Sequence, residues 1–562
     1  MALIPLLLQI AADSGCQNRQ RCEEVLEKAH SQQRSLVDAV LEESLVEETQ
    51  FARNLAQVMG MDFLADSKLD LSQPLHNRFP AKLAMRYRLV PAWMEGKDMG
   101  LMTYDPFDLE ARQAVGQKLP KNITWVVSTR YRILESLRQG YGVGAEHFDE
   151  MMEGREEADS EDELRQEISV LDEEDEEASV MNFVNQVFRE ALRERATDIH
   201  IEPLENDLRI RYRIDGSLQE ITVPPNIRML QSSLISRLKI MAQLDIAERR
   251  LPQDGRINLE LDGNPIDVRV ATIPSVNGES VSLRLLTRQK FDFGGLGLDP
   301  AAADTVRELL AMPNGIILVT GPTGSGKSTT LYTFLRELNT KDRRIVTIED
   351  PVENKLDGVV QIAVKPEINL TFAAGLRSIL RGDPNVIMVG EMRDLETTEI
   401  AIRGALTGHL VFSTLHTNDA VSGISRLLDM GVEPFLIASS VRAFLAQRLV
   451  RTLCEDCKVP AELSEEDLAR SGFPVEHRHG VYRSVGCRAC RDTGFRGRMA
   501  ILEICLLSPQ LQELIAQDKP HSELKAQALS DGLVPLRQAG FQKVAEGKTT
   551  LEEVLTHTAE AQ

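Results

Sequence analysis

The sequence predicts an α/β protein: a P-loop domain on a largely parallel, helix-covered sheet, preceded by an α+β domain, with an N-terminal α/β domain and a four-cysteine insert. Three observations carry this. Between residues 301 and 450, four short apolar runs (GIILVT, RRIVTIED, VIMVGE and HLVFSTL) alternate with helical stretches, the pattern of a parallel sheet. The first run leads directly into GPTGSGKST at 321–329. Further on, Cys454, Cys457, Cys487 and Cys490 form two CxxC pairs separated by 29 residues.

The 562 residues are 42% hydrophobic, enough for several packed domains. Residues 1–12, MALIPLLLQIAA, lack a basic start and a cleavage signature, so they read as a short core or amphipathic helix rather than a secretory signal. No run approaches the ~18 apolar residues of a membrane span, and the expected compartment is the cytoplasm. Residues 21–59 carry helix-spaced apolar side chains. Residues 81–148 read as mixed, with strand character in LAMRYRLVPAW and ITWVVST and helices in LEARQAVGQ and YRILESLRQG. Residues 1–148 therefore form one small domain.

The formal net charge is −22, from 64 basic and 86 acidic residues. Residues 149–177 hold 16 of the acidic and 2 of the basic ones, a net −14. Such a run buries too little surface to offset its ordering entropy and reads as a flexible linker, a solvated acidic helix being the alternative. The charge argues against nucleic acid as a general partner.

Residues 178–290 resume folded character. A helix leads into DIHIEP and LRIRYRI, the IDGS step suggests a hairpin, a helix follows near 226–248, and RINLEL, PIDVRVATI and SVSLRLL read as strands. This is the α+β domain. Phe291–Pro300, with glycines at 294, 295 and 297, reads as a linker or hinge. Residues 301–450 form the P-loop domain, 451–495 the cysteine insert and 496–562 a helical tail.

GPTGSGKST satisfies G-x-x-x-x-G-K-[ST] between a strand and a helix. Gly321, Thr323, Gly324, Ser325 and Gly326 supply backbone N–H groups for phosphates, and Pro322, which has no N–H, shapes the same loop. Lys327 supplies charge, the Ser328 hydroxyl suits magnesium, and Thr329 ends the motif ahead of a helical run from Thr330 to Leu338, whose dipole favours anions. Other polar clusters sit at strand ends, where ligands of open α/β sheets collect. Glu349, Asp350 and Glu353 follow IVTI, Glu391 follows VIMVG, and His409 and His416 flank LVFSTL. Glu391 is placed to polarise water or act through magnesium, and Glu349, Asp350 and Glu353 to hold the metal or its waters; a surface cap is the rival role for any one carboxylate. The histidines read either as γ-phosphate sensors or as structural hydrogen bonders.

Four paired thiolates with no water position suit structural zinc on Cys454, Cys457, Cys487 and Cys490. The paired spacing is ribbon-like and nothing else implies redox work, which disfavours an iron–sulfur cluster. The intervening loop, acidic early and basic only late, disfavours a nucleic-acid ribbon.

GPTGSGKSTTLY, IEDPVE, VIMVGEMRD and TGHLVFSTLHTNDA resemble the four nucleotide-site boxes of the type II secretion and type IV pilus assembly ATPases. ATDIHIEP, RYRIDG, LPQDGRI and VRVATIPSVNGESVSLRLL resemble the domain that precedes the motor in that family, and GFRGRMAILEI and TTLEEVL fit its tail. The resemblance covers residues 180–560 closely and 51–145 more loosely. It implies a RecA-like motor domain, a homo-hexamer, magnesium-dependent ATP hydrolysis, and two arginines, Arg269 and Arg284, closing on the phosphates from the preceding domain; exposed strand arginines are the rival reading. Arg377 and Arg381 keep a pattern of cross-subunit contacts, whereas Asn385 stands where the family more often has an acid. The four-cysteine insert also occurs in the family, leaning towards secretion.

The resemblance further implies a membrane-anchored partner whose cytoplasmic domain binds residues 1–148, and a polytopic inner-membrane platform protein for the ring. The expected function is a cytoplasmic ATPase motor, peripheral to the inner membrane, that powers pseudopilus assembly in type II secretion. Type IV pilus extension is the alternative. A non-hydrolysing nucleotide-gated scaffold and a DNA-translocating motor are rivals from other classes.

Overall fold

The computed structural model describes residues 3–16, 18–32, 34–43, 45–64, 79–95, 98–119, 122–142, 173–224, 227–261, 263–286 and 292–558. The chain divides into two units, Met1–Leu285 and Leu286–Gln562. No described helix is long and apolar enough to cross a membrane.

The apolar start forms the helix Leu3–Ala12, which buries Leu7, Leu8, Ile10 and Ala11, so it is a core helix. Helices Arg19–Ser31, Leu36–Glu42 and Glu48–Met59 follow. Asn18 and Ser35 cap two of them by accepting N–H bonds from Arg21 and Asp38. Strands β1 (Asp62–Phe63), β2 (Val90–Glu95), β3 (Asp98–Thr103) and β4 (Asn122–Val127) make a sheet of order β1-β4-β3-β2. LAMRYRLVPAW, expected as strand, is half helix: Ala81–Tyr87 is helical and the strand begins only at Val90. Ala, Leu, Met and Lys favour helix there, Pro80 suits its start, and left-handed Arg88 (φ 53°) ends it. Asp38 ties the helices to this sheet, accepting from Arg88 Nη1 at 2.8 Å and Tyr104 Oη at 3.1 Å and pairing with Arg130 Nε at 3.0 Å.

Of the acidic run read as a linker, residues 149–172 lie outside the described residues. Residues 173–177 begin the helix Glu173–Arg193. This helix buries Phe183, Val184, Val187 and Phe188 on one face of a sheet of order β7-β6-β5-β10-β9-β8. Its strands are β5 (Ala196–Pro203), β6 (Leu208–Ile214), β7 (Ser217–Ile221), β8 (Gln253–Leu261), β9 (Asn264–Ser275) and β10 (Gly278–Leu286). The IDGS step is the hairpin expected: Asp215 and Gly216 both take positive φ, 49° and 90°, as a tight primed turn requires. The helix expected near 226–248 is shorter, Gln231–Met241, after a single 3-10 turn.

The second unit holds a seven-stranded sheet of order β13-β12-β14-β15-β11-β16-β19. The four expected strands are its centre: β11 (Gly315–Thr320), β12 (Ile345–Glu349), β14 (Val386–Val389) and β15 (Leu410–Leu415), all parallel. Sequence periodicity missed β13 (Val360–Ala363), β16 (Val441–Leu453) and β19 (Phe495–Leu506). A boundary at 450/451 therefore cuts β16, and the tail read as helical from 496 opens with a strand. Both strands carry mixed periods, and β16 follows a helix without a break. They become strands by pairing antiparallel with each other, from Ala443↔Leu506 to Leu453↔Phe495, a long-range choice that local propensity does not contain. Between them, β17 (Val459–Ala461) and β18 (Val481–Arg483) form a small ribbon. Helices Pro509–Ala516, His521–Ser530, Leu536–Ala545 and Leu551–His557 close the chain.

Candidate active site and metal centre

Every residue of β11 is buried, which fixes the loop that leaves its carboxyl end. Residues 321–326 turn at three glycines of positive φ: Gly321 (149°), Gly324 (82°) and Gly326 (89°). Two of them also need the missing Cβ. A Cβ on Gly321 would lie 2.7 Å from the Gln447 carbonyl oxygen, and one on Gly326 would lie 2.7 Å from Gln447 Nε2. Pro322, Thr323, Gly324 and Ser328 are exposed, and Thr329 is half-buried. The helix Lys327–Leu338 starts directly behind the loop.

Lys327 is buried, and its Nζ donates to the carbonyls of Gly321 at 2.7 Å and Pro322 at 3.1 Å. Burial brings its pKa down to about 8; Glu391 pulls it back up and Arg448 lowers it further. Glu391 follows β14. Gly390 before it is clamped from both sides: its N–H donates to Ile348 O at 2.8 Å, and its carbonyl accepts from Thr414 Oγ1 at 2.8 Å. The Glu391 carboxylate, 15% exposed, pairs with Arg393 Nη2 at 2.5 Å and lies 3.6 Å from His416 Nε2. Lys327, Glu391 and His416 thus converge at the carboxyl ends of β11, β14 and β15. Ser328 and Glu391 offer the hard oxygen donors that suit magnesium.

Glu349 closes β12 and is buried among neutral donors. Thr347 Oγ1 donates at 2.5 Å, Gln361 Nε2 at 3.1 Å, and the Tyr332 hydroxyl donates to the other oxygen. That hydroxyl in turn accepts from the N–H groups of Glu353 and Asn354 at 3.1 and 3.3 Å. Burial, then Glu349, pushes the Tyr332 pKa far up. His409 Nδ1 lies 2.7 Å from Gly404 O, the bond of a structural hydrogen bonder. Asn385 Oδ1 accepts from Arg344 N–H at 2.7 Å, and Arg377 pairs with Glu396 at 2.5 Å. Arg269 and Arg284 lie in the first unit, on β9 and β10. Each is on the sheet face opposite the buried Val268, Val270, Leu283 and Leu285, and Arg284 Nε reaches Asp198 Oδ1 at 2.9 Å.

The four predicted cysteines come together. Sγ–Sγ distances are 3.8 Å for Cys454–Cys487, 3.7 Å for Cys457–Cys490 and 3.8 Å for Cys487–Cys490, and all four sulfurs lie within 4.8 Å of one another. A tetrahedral zinc with Zn–S near 2.3 Å needs edges of about 3.8 Å, so the set fits that ion. Against burial, which raises it, N–H bonds from Cys487 and Gly494 bring the Cys490 thiol down to about 7. Cys22 and Cys505 are ordinary buried thiols, pushed up to about 11 and about 12 by burial.

The family described as type II/IV secretion system protein matches residues 173–556, and the MshEN domain matches residues 59–147. The chain belongs to the type II/IV secretion-system ATPase family. It is 45% identical over 497 residues to the type II secretion system ATPase E of Vibrio cholerae serotype O1, covering 86% of this chain and 97% of that one. It is 41% identical over 535 residues to the type IV pilus assembly ATPase PilB of Myxococcus xanthus, covering 93% of each. The solved ATPase DotB of Legionella pneumophila shares the fold, with a TM-score of 0.51 at 23% identity over 67% of this chain and 96% of that chain.

Within this secretion-ATPase fold, sequence reasoning missed the residues behind the phosphate loop. Gln447, buried in the middle of β16, accepts from Thr330 Oγ1 at 2.7 Å and donates from Nε2 to Ser325 O at 2.8 Å. Arg448 donates to Gln447 O at 3.0 Å and to Asn418 O at 2.9 Å, tying the loop's backing strand to the exit of β15. The available signal was a Gln-Arg step inside the apolar run VRAFLAQRLV.

Proposed function

We propose that the chain is a cytoplasmic, homo-hexameric, magnesium-dependent ATPase motor that powers pseudopilus assembly in type II protein secretion. The observation that carries the reading is the convergence of Lys327, Glu391 and His416 on one P-loop. ATP takes its phosphates on residues 321–329, with Lys327 giving up its loop carbonyls for the β- and γ-phosphates. Glu391, oriented by Arg393 and His416, aligns and deprotonates the attacking water. Arg269 and Arg284 neutralise charge on the transferring phosphoryl group. Ser328 and Glu391 would hold magnesium, which would supply neutralisation of phosphate charge. Glu349 supports the site from behind, through Tyr332 and the 353–354 backbone. Zinc on Cys454, Cys457, Cys487 and Cys490 is structural.

Residues 1–148 are the docking domain for a membrane-anchored partner, and a polytopic inner-membrane platform protein receives the ring. The protein is thus peripheral to the inner membrane, with no nucleic acid as partner. Type IV pilus extension is the second reading, supported by the 41% identity to the pilus assembly ATPase over 93% of both chains. A Lys327→Ala replacement in the producing cell tests the two. Secretion predicts exported proteins stranded in the periplasm with pili intact, whereas extension predicts the reverse. A cell that keeps both processes overturns the motor reading.

A further inference from the structure

We propose that Gln447 is a positioning residue for nucleotide binding, shaping the phosphate loop from the neighbouring strand. The proposal rests on residues 321–329 being the phosphate site. The Gln447 carboxamide faces the loop with both ends engaged. Its oxygen accepts from Thr330 Oγ1 on the first turn of the helix, and its nitrogen donates to Ser325 O inside the loop. Thr330, Ser325 and Gln447 are all buried, so neither bond competes with water and either one broken leaves an unsatisfied group. The same side chain closes against Gly326, and the Gln447 carbonyl closes against Gly321. One residue therefore touches the loop at its beginning, near its end and at the helix behind it.

The consequence follows from peptide geometry. In a trans peptide the C=O and the following N–H point in opposite directions. Anchoring the Ser325 carbonyl on Gln447 turns the Gly326 N–H away from β16, leaving it free for an anion. The Thr330 bond holds the carboxamide in the one orientation that presents its nitrogen to Ser325. With that orientation set, the donor is in place before the nucleotide arrives, so binding does not have to order it. Arg448 fixes the backbone of Gln447 through its carbonyl.

The test measures ATP turnover and binding of a fluorescent ATP analogue on the full chain, for Gln447→Met, Gln447→Glu and Thr330→Val. Loss of a donor aimed at a phosphate that is bound equally in ground and transition states raises KM and leaves kcat nearly unchanged. Gln447→Met should raise KM and Kd roughly ten- to a hundred-fold, the value of a hydrogen bond to a charged group, with kcat within about threefold. Thr330→Val should give a smaller rise, and the double variant should be no worse than Gln447→Met alone, because the two bonds act as one unit. If Gln447→Met fails to fold, Gln447→Glu carries the reading: it keeps the acceptor for Thr330, loses the donor to Ser325 and should still raise KM.

A fall in kcat at unchanged KM, the mark of a merely structural role, overturns the proposal, as do losses that multiply in the double variant. Lys327→Ala separates the two levels. If it abolishes binding while the Gln447 variants bind normally, the positioning role alone falls; if it binds normally, the phosphate site falls and the positioning role with it.

Discussion

His416 Nε2 stands 3.6 Å from Glu391 Oε2, across the exits of two adjacent strands. The pairing of β14 with β15, in register from Val386↔Leu410 to Val389↔Ser413, brings those exits side by side. Arg393 holds the other carboxylate oxygen at 2.5 Å. The carboxylate beside the phosphate loop is thus oriented from two directions.

Glu391→Gln keeps that shape and removes the charge. ATP binding should remain within about threefold of the parent while kcat falls by roughly a hundred-fold or more, the usual contribution of a positioned base. His416→Ala should cost less, since Arg393 still holds the carboxylate. Unchanged turnover in Glu391→Gln removes Glu391 from catalysis.

The Lys327 pKa, brought down to about 8 by burial, gives nucleotide binding a pH dependence. Without nucleotide, the unfolded chain keeps the lysine proton up to its ordinary value of 10.5 while the folded chain releases it near 8. The unfolded state binds more protons in that window, so this lysine's contribution to stability rises with pH from about 8 to 10.5. Phosphate binding has the opposite sign, because it requires the ammonium. ATP affinity should therefore fall as pH rises through about 8, at a rate approaching tenfold per pH unit. Isothermal titration between neutral and alkaline pH measures this. Lys327→Met should flatten the profile, and a sloping profile in that variant would assign the dependence to another group.

The thiolate centre should hold about one zinc per chain by elemental analysis. Cys487→Ser should lose the metal and destabilise the β17–β18 ribbon, and chelation of the parent should lower its thermal midpoint. A metal-free protein that stays fully folded would falsify the zinc assignment.

Glu503 predicts a stability effect remote from chemistry. Its buried carboxylate accepts from the N–H groups of Ala420 at 2.7 Å and Leu536 at 3.0 Å, joining the chain after β15 to the first turn of the helix Leu536–Ala545. Burial raises its pKa, and those two N–H bonds pull it back. Glu503→Ala leaves both donors without their acceptor and should cost on the order of 3 kcal/mol in denaturant unfolding. A change under about 0.5 kcal/mol, the range of ordinary surface substitutions, would show that the two N–H groups find other partners.

The central strands were legible because each is a short, continuous apolar run, which a sheet covered on both faces demands. The P-loop was legible because its chemistry needs glycine, lysine and serine at fixed spacing. The cysteines were legible because two CxxC pairs suffice to specify a tetrahedron. The bonds of His409 and Glu349 were not legible in the sequence, since only the folded chain brings up their partners: Gly404 for one, and Tyr332, Thr347 and Gln361 for the other. The Gln-Arg step marked Gln447 as a polar residue in an apolar run but not what it touches, because its partners Ser325 and Thr330 lie more than a hundred residues away in sequence.

Local pattern by itself determined the fold class, the phosphate loop, the thiolate quartet and the position of Glu391 at a strand end. These features depend on residues close in sequence, or on a chemistry so restrictive that few residue types satisfy it. Tertiary structure alone decided that β16 and β19 are strands, that Glu391 sits between Arg393 and His416, and that Gln447 backs the loop. Each of these rests on pairing between distant segments. Such pairing is set by the burial and hydrogen-bond satisfaction of the whole sheet, and no local run of residues encodes it.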